Sequence, residues 1–278
     1  MDIRLVAVDL DGTLLRNDKS LSPAAVRAVA HAAERGLEIV IATGRSRREF
    51  DHILRRLPAV RYAVCCTGAC VLDCKTGEEL FSSPLPAALA AEVWRRLQPF
   101  DILFEVFQDG HVYVDQAKMP RLDAYMAASR NPCLPGSRTG QADFDAWVRT
   151  QGRPVVKLHM FFQDTAQRDA AWDALRDLDA FLCCSDPVDL EVMAQGVDKG
   201  SGLAQLAGRL GLTAHQVLAV GDSGNDLGML RYAGVRAVMA NGEAALLELA
   251  DLRLDDNEHD GAAKLLERLA KGERLTWN

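Results

Sequence analysis

Four short stretches of this chain combine acids, a hydroxyl, a lysine and glycines where a strand ends or a helix begins. The first reads Val8-Asp9-Leu10-Asp11-Gly12-Thr13-Leu14-Leu15 and follows the apolar run Ile3 to Ala7. Side chains alternate along a strand, so Asp9 and Asp11 fall on one side, two residues apart. Burying two acids that close together is costly unless a cation, a shared proton or a substrate compensates. The second stretch, Thr43-Gly44-Arg45, places a hydroxyl and a backbone N–H at a helix entrance, where phosphate oxygens are well received. The third is Lys199, within Gly196-Val197-Asp198-Lys199-Gly200 just before a helix. The fourth, Gly221-Asp222-Ser223-Gly224-Asn225-Asp226, follows the apolar run Val217 to Val220.

Together these residues form a set for phosphoryl transfer. Asp9 and Asp222 are carboxylates suited to Mg2+, which prefers oxygen ligands. Lys199, Thr43 and the metal would neutralise and orient the transferring group, and catalysis of this kind is largely positioning and charge stabilisation. Asp9 is placed to attack phosphorus, dividing one hard step into two. Asp11 would protonate the leaving oxygen and later deprotonate water. That task asks for a pKa above the ~3.9 of a free aspartate, and crowding by other acids is expected to push it upward. Arg45 is either a substrate contact, which its place beside Thr43-Gly44 favours, or a solvated helix residue like Arg47, Arg48, Arg55 and Arg56.

Alternating strands and helices position these groups. Ile3 to Leu10 reads as a buried strand, and Ser22-Pro23 caps a helix over Ala24 to Arg35. A second strand spans Leu37 to Ala42, a helix Arg47 to Leu57, a third strand Tyr62 to Cys66, and a hairpin Cys70 to Phe81. After Ser83-Pro84 strands outnumber helices. A hairpin turns at Asp109-Gly110, a loop rich in Pro and Gly runs from Asn131 to Gly140, and Pro154 to Phe162 is a strand. A helix over Ala166 to Leu178 and a strand pair, Phe181 to Ser185 with Leu190 to Met193, follow. Alternation resumes with a helix over Gly202 to Leu210, strands Val217 to Val220 and Val235 to Met239, and helices Leu227 to Tyr232, Glu243 to Leu249 and Gly261 to Lys271. The expected architecture is α/β: a doubly wound, mainly parallel sheet from residues 1–83 and 190–278, interrupted by an α+β module over 84–189.

The order of the four motifs and their strand context resemble the haloacid dehalogenase superfamily of Mg2+-dependent phosphohydrolases. The Asp-Xaa-Asp-Gly-Thr start, the threonine after strand two, the lysine and the Gly-Asp-Xaa-Xaa-Asn-Asp loop stand in that family's order across essentially the whole chain. A large module between the second motif and the lysine, with Val197-Asp198-Lys199-Gly200-Ser201-Gly202-Leu203, is similar to the Cof-type subfamily. The resemblance implies a Rossmann-like core with the nucleophile at Asp9, the acid/base at Asp11, and phosphate contacts from Thr43, Gly44 and Lys199. It further implies a metal held by the Asp9 carboxylate, the Asp11 main-chain carbonyl and Asp222, with Asn225 and Asp226 supporting the site. The inserted module would act as a cap that excludes water and sets specificity. Sugar phosphates are the implied substrates, with pyridoxal phosphate or flavin mononucleotide next. Two departures stand out: Asn241, in Met239-Ala240-Asn241-Gly242, matches the subfamily's Met-Gly-Asn-Ala only approximately, and Thr67 replaces a common asparagine.

Other assignments narrow against the residues. A phosphomutase or phosphotransferase of the same fold stays open, separated from a phosphatase by release of free phosphate. A signalling receiver domain would carry its phosphorylated aspartate after the third strand, where this chain has Cys65-Cys66-Thr67. A non-catalytic metabolite-binding relative conflicts with intact Asp9, Asp11, Lys199 and Asp222. Cys66, Cys70 and Cys74 share a four-residue spacing, but their stretch reads as strand and hairpin without a fourth zinc ligand. Lys157 and His159 share one face of a strand, pointing to substrate or forming a satisfied surface pair, and Trp94, Trp147 and Trp172 read as packing residues.

The bulk of the chain fits this picture. Its 278 residues are 49% hydrophobic and 26% charged, ordinary for a folded protein. A formal charge of -7 argues against nucleic-acid or anionic-membrane partners while leaving room for a small anionic substrate. With Asp2 and Arg4 at the start no secretory leader is expected, and no apolar run approaches the ~20 residues that span a bilayer. Seven cysteines, an odd number with two adjacent pairs, suit reduced thiols in the cytoplasm. The expected assembly is a monomer or weak homodimer.

Overall fold

The computed structural model describes residues 2–126 and 137–274. Cys133 and residues 131–136 of the expected Pro- and Gly-rich loop lie outside the described residues. In chain order the first elements are β1 (Leu5–Val8), α1 (Pro23–Glu34), β2 (Glu38–Ala42), α2 (Arg47–Leu54), β3 (Tyr62–Cys65), β4 (Cys70–Asp73) and β5 (Glu79–Ser82). Ser22 Oγ accepts the Ala25 N–H at 2.9 Å, with Pro23 in the first turn, as the cap residues predict. Next come α3 (Ala87–Leu97), β6 (Leu103–Gln108), β7 (His111–Asp115), α4 (Leu122–Met126), β8 (Arg138–Gln141), α5 (Phe144–Thr150), β9 (Lys157–Phe161), α6 (Thr165–Leu175), β10 (Ala180–Cys183) and β11 (Asp189–Ala194). The chain then forms α7 (Lys199–Arg209), β12 (Val217–Gly221), α8 (Leu227–Tyr232), β13 (Val235–Met239), α9 (Ala244–Leu247), β14 (Leu252–Leu254) and α10 (Gly261–Ala270). Among the described residues no helix is long and apolar enough to cross a membrane.

The chain divides into two compact units: Met1–Gly44, Phe50–Phe81 and Asp198–Asn278 in one, Arg45–Glu49 and Ser82–Val197 in the other. In the first, the described strands form a sheet ordered β14-β13-β12-β1-β2-β3-β4-β5. Pairing is parallel from β14 to β3 and antiparallel between β3 and β4. β1 is buried at every position and lies between β2, which follows it, and β12, which returns from the last third of the chain. The winding direction reverses there, and ligands bind at such a point, beyond the carboxyl ends of the strands. Val8 is in register with both Ile41 and Val220, so Asp9, Thr43 and Asp222 all emerge at that one edge.

The second unit contains a sheet ordered β10-β11-β9-β6-β7-β8, antiparallel except between β7 and β8. Phe104, Val106, Leu158, Met160, Leu190 and Val192 alternate onto one face and pack with Val93, Leu97, Val148 and Leu175 of the helices. Trp94, Trp147 and Trp172 pack against this cluster, Trp94 meeting Phe104 and Phe144 edge-on, as their packing assignment anticipates. One expectation is corrected here. The boundary at residue 190 falls inside β11, which pairs with β9 and β10; its apolar residues Leu190 and Val192 belong to this core.

A tight approach in the first unit brings the lysine loop into place. Cys66, Thr67 and Gly68 take successive positive φ angles of 50°, 56° and 97°. A side chain on Gly68 would put its Cβ 1.9 Å from the carbonyl oxygen of Asp198, the residue that caps α7. Gly68→Ala is therefore expected to destabilise the protein by about 2 kcal/mol or more in urea unfolding; a loss below about 0.5 kcal/mol, the range of neutral surface changes, would contradict that close packing.

Candidate active site

The site grows from the ends of β1 and β12 and the start of α7. Asp9 follows β1 and keeps the ladder for one more bond, its N–H donating to Val220 O at 3.0 Å. Asp198 caps α7, its carboxylate accepting the Ser201 N–H at 2.7 Å, so the helix starts at Lys199 rather than at Gly202 as expected. That cap aims a wholly buried lysine: Lys199 Nζ donates at 2.7 Å to Asp9 Oδ1 and at 2.7 Å to Asp226 Oδ1. The second oxygen of Asp226 accepts the N–H groups of Asp222 and Ser223, at 2.8 and 3.1 Å. Asp226 thereby fixes both the lysine and the turn that carries Asp222.

Thr13 and Gly12 complete the edge. Thr13 Oγ1 donates to Asp222 Oδ1 at 2.8 Å. Gly12 has φ 79°, and a Cβ there would lie 2.4 Å from Asp222 Oδ2, so only glycine lets the two loops meet this closely. Asp9, Asp222 and Asp226 offer carboxylate oxygens within 4.8 Å of one another. Among these three acids Lys199 is the cation bonded to Asp9 and Asp226, which leaves the cluster short of positive charge. Burial, followed by repulsion from Asp226, pushes Asp222 up to about 7, and burial raises Asp9 against the pull of Lys199. Lys199 is shifted upward by its two carboxylates despite burial. Hard oxygen donors with an excess of negative charge fit a divalent cation such as Mg2+.

The remaining predicted residues divide. Asp11 carries its own cation, Lys19 Nζ at 3.0 Å, a partner that the expectation of crowding by acids alone had omitted. Thr43 is buried, its N–H donating to Val64 O at 2.8 Å and its carbonyl accepting the Thr67 N–H at 3.1 Å. Thr67 is likewise buried and supports the turn that holds Thr43. Gly44 closes its segment of the first unit, while Arg45–Glu49 group with the second. Arg45 Nη1 donates to Glu49 O at 3.3 Å, a bond within its own helix start. Asn225 is buried and accepts from Ser223 Oγ at 3.3 Å.

With this geometry in hand, comparison with known proteins is decisive. A family model of the haloacid dehalogenase-like hydrolases matches residues 6–266. The chain belongs to that family. Pyridoxal phosphate phosphatase YbhA of Escherichia coli (strain K12) is 29% identical over 289 residues, covering 96% of this chain and 98% of the relative. The 5-amino-6-(5-phospho-D-ribitylamino)uracil phosphatase YcsE of Bacillus subtilis (strain 168) is 26% identical, covering 96% and 95%. A solved haloacid dehalogenase-like hydrolase from B. subtilis shares the fold with a TM-score of 0.86 and 24% identity, covering 96% of this chain and all of its own.

The hydrolase holds a second charged cluster, on the face of its six-stranded sheet opposite the apolar core. Lys157 Nζ donates to Glu191 Oε1 at 2.9 Å, and His159 Nε2 pairs with Asp189 Oδ2 at 3.0 Å. Glu105 accepts from Arg138 at 2.7 and 3.1 Å, and Arg138 reaches Glu49 at 2.9 Å. Lys157 and His159 are thus satisfied, but both are buried rather than on the surface. His159 is raised to about 9 by its carboxylate partners against burial and Lys157, while Glu105, although buried, is held to about 2 by Arg138 and His159. His159, Asp189 and Glu191 could hold a metal by distance, yet each already has a charged partner.

Thr13, Lys19 and the charged partners of Lys157 and His159 in this second network were missed in the sequence. The threonine sits inside a motif already noted, so its role follows from the motif's turn; the others depend on strand pairing.

Folding of the metal-free hydrolase should carry a pH signature of the acid cluster. Asp222 is raised from an unfolded value of ~3.9 to about 7, so its contribution is fully present below pH ~4 and lost as pH rises through 7. The thermal midpoint in EDTA should fall between about pH 5 and 8 more steeply than in Asp222→Asn, whose comparison removes the parallel contribution of His159. Equal slopes for the two proteins would contradict the charge excess at Asp222.

Proposed function

We propose that this hydrolase is a Mg2+-dependent phosphatase of small phosphorylated metabolites that works through a phosphoryl group carried on Asp9. The observation that supports this most directly is the clamp on Asp9: one carboxylate oxygen is tied to buried Lys199 at the end of β1. With Oδ1 so tied, Oδ2 is the oxygen that attacks. Its bond to phosphorus forms as the ester P–O bond breaks, and Asp11 delivers a proton to the departing alkoxide. Asp11 then takes a proton from water, the water oxygen attacks phosphorus, and inorganic phosphate leaves with Asp9 restored. Lys19, 3.0 Å from Asp11, is placed to steady that carboxylate between the two steps.

The Asp9 and Asp222 carboxylates and the Asp11 main-chain carbonyl would hold Mg2+, which when bound neutralises phosphoryl oxygens. Thr43, Gly44 and Lys199 take the roles of phosphate contacts, with Arg45 and Asn225 as flanking ones. Asp226 supports the site through Lys199 and the Asp222 turn, which take its two oxygens. Sugar phosphates are the favoured substrates; the named activity of the E. coli relative supports pyridoxal phosphate among the candidates, and that of the B. subtilis relative adds phosphoribitylamino-uracil esters. A screen of such esters for free phosphate identifies the substrate. Transfer to a second hydroxyl without phosphate release would instead mark a mutase.

Asp9→Asn should lower hydrolysis of p-nitrophenyl phosphate by at least about a thousandfold while the circular dichroism spectrum is unchanged; retained turnover would remove Asp9 as nucleophile. Asp222→Ala should raise the Mg2+ concentration for half-maximal rate about tenfold or more, and an unchanged requirement would exclude Asp222 from the metal site.

A further inference from the structure

The turn that follows Asp9 satisfies its own backbone only in part. Leu14 N–H donates to Asp9 O at 3.2 Å and Leu15 N–H to Leu10 O at 2.8 Å. Two of its carbonyls are instead taken by asparagines from the far end of the chain. Asn241 Nδ2 donates to Gly12 O at 2.8 Å, and Asn257 Nδ2 to Leu15 O at 3.0 Å. A main-chain bond joins them: the Asn257 backbone N–H donates to Asn241 Oδ1 at 3.1 Å. The grip extends outward: Asn257 Nδ2 also meets Asn17 Oδ1 at 3.1 Å, and Glu258 Oε1 accepts the Asn17 N–H at 2.7 Å. Asn257 is buried, whereas Asn241 is exposed.

The Gly12 carbonyl is where this grip matters. Gly12 lies against Asp222, and its peptide leads directly into Thr13, which donates to Asp222. A small rotation of that peptide would move both contacts. A carboxamide suits the task because it offers a donor and an acceptor in one rigid plane. We propose that Asn241 and Asn257, gripping the Gly12 and Leu15 carbonyls, are positioning residues that hold Asp11 and Thr13 in register with Asp222. This rests on the phosphatase reading above. Neither asparagine touches substrate or metal in it; together they set the loop whose backbone and side chains do.

The test compares wild type, Asn257→Asp, Asn241→Ala and the double variant. Asn257→Asp keeps the shape but turns the donor into an acceptor facing the Leu15 carbonyl. With p-nitrophenyl phosphate and Mg2+, both single variants should lower kcat about tenfold with KM within about twofold, and raise half-saturating Mg2+ several-fold. The double variant should lose more than either single one, because the two side chains hold separate carbonyls of the turn, Gly12 O and Leu15 O. Without metal or substrate, amide exchange at Thr13, Leu14 and Leu15 should quicken about tenfold while β12 amides stay unchanged. The proposal is overturned if kcat and turn exchange in Asn241→Ala stay within about twofold of wild type, or if β12 exchange quickens equally, which is general loosening. Asn241 is exposed, so that variant decides the matter even where Asn257→Asp fails to fold. A wild type without phosphatase turnover would refute the phosphatase reading alone, and the exchange measurement would still judge the positioning role.

Discussion

A single buried ammonium group, Lys199, organises the acid cluster at the ends of β1 and β12. It stands between Asp9 and Asp226 with no exposed surface to speak of, and a charge in that position is tolerable only while its partners are in place. Breaking such a buried pair by removing one member typically costs about 3–5 kcal/mol. The lysine therefore does two jobs that cannot be separated: it neutralises Asp9, and it welds α7 to β1 and to the Asp222 turn. The close glycine contacts around it serve this bond. Gly68 admits the carbonyl of Asp198, whose side chain caps α7 and sets the direction of the lysine.

Much of this site could be read in the sequence because it is written locally. Asp9, Asp11, Thr43 and Asp222 each follow an apolar run closely, and parallel register brings the ends of those runs to one edge. Lys199 was placed by its motif, although its helix starts three residues earlier than apolar spacing suggested, because a cap made by Asp198 and Ser201 outweighs the low helix propensity of two glycines. Pairings between distant stretches were not legible. Nothing in Ser20-Leu21 or Asn17-Asp18 tells that Lys19 turns back to Asp11, and nothing near Asn257 points to Leu15. Long-range partners follow from the fold, and one chain alone does not encode them in any spacing.

The second unit shows the same limit differently. Its alternation was clear enough to give strands, but β8 was missed and the boundary at 190 cut through β11. Lys157 and His159 were recognised as sharing a face, yet their partners Glu105, Asp189 and Glu191 come from two other strands. A row of ions on a buried face contradicts the simple rule that buried faces are apolar. The rule is rescued because every charge there is paired, and such arrangements favour one register over its neighbours more than they add stability.

The clamp on Asp9 also has a consequence for the order in which this protein comes into being. Lys199 lies 190 positions beyond Asp9, and Asp222 lies 209 beyond Thr13. A ribosome that has made only the first two hundred residues has released a strand bearing acids with neither β12 beside it nor the Asp222 turn above it. Contacts of such sequence separation close late, since the intervening chain must first be ordered. The completed cluster of acids and lysine is thus withheld from every such truncated chain and forms only when the last third of the polypeptide has docked.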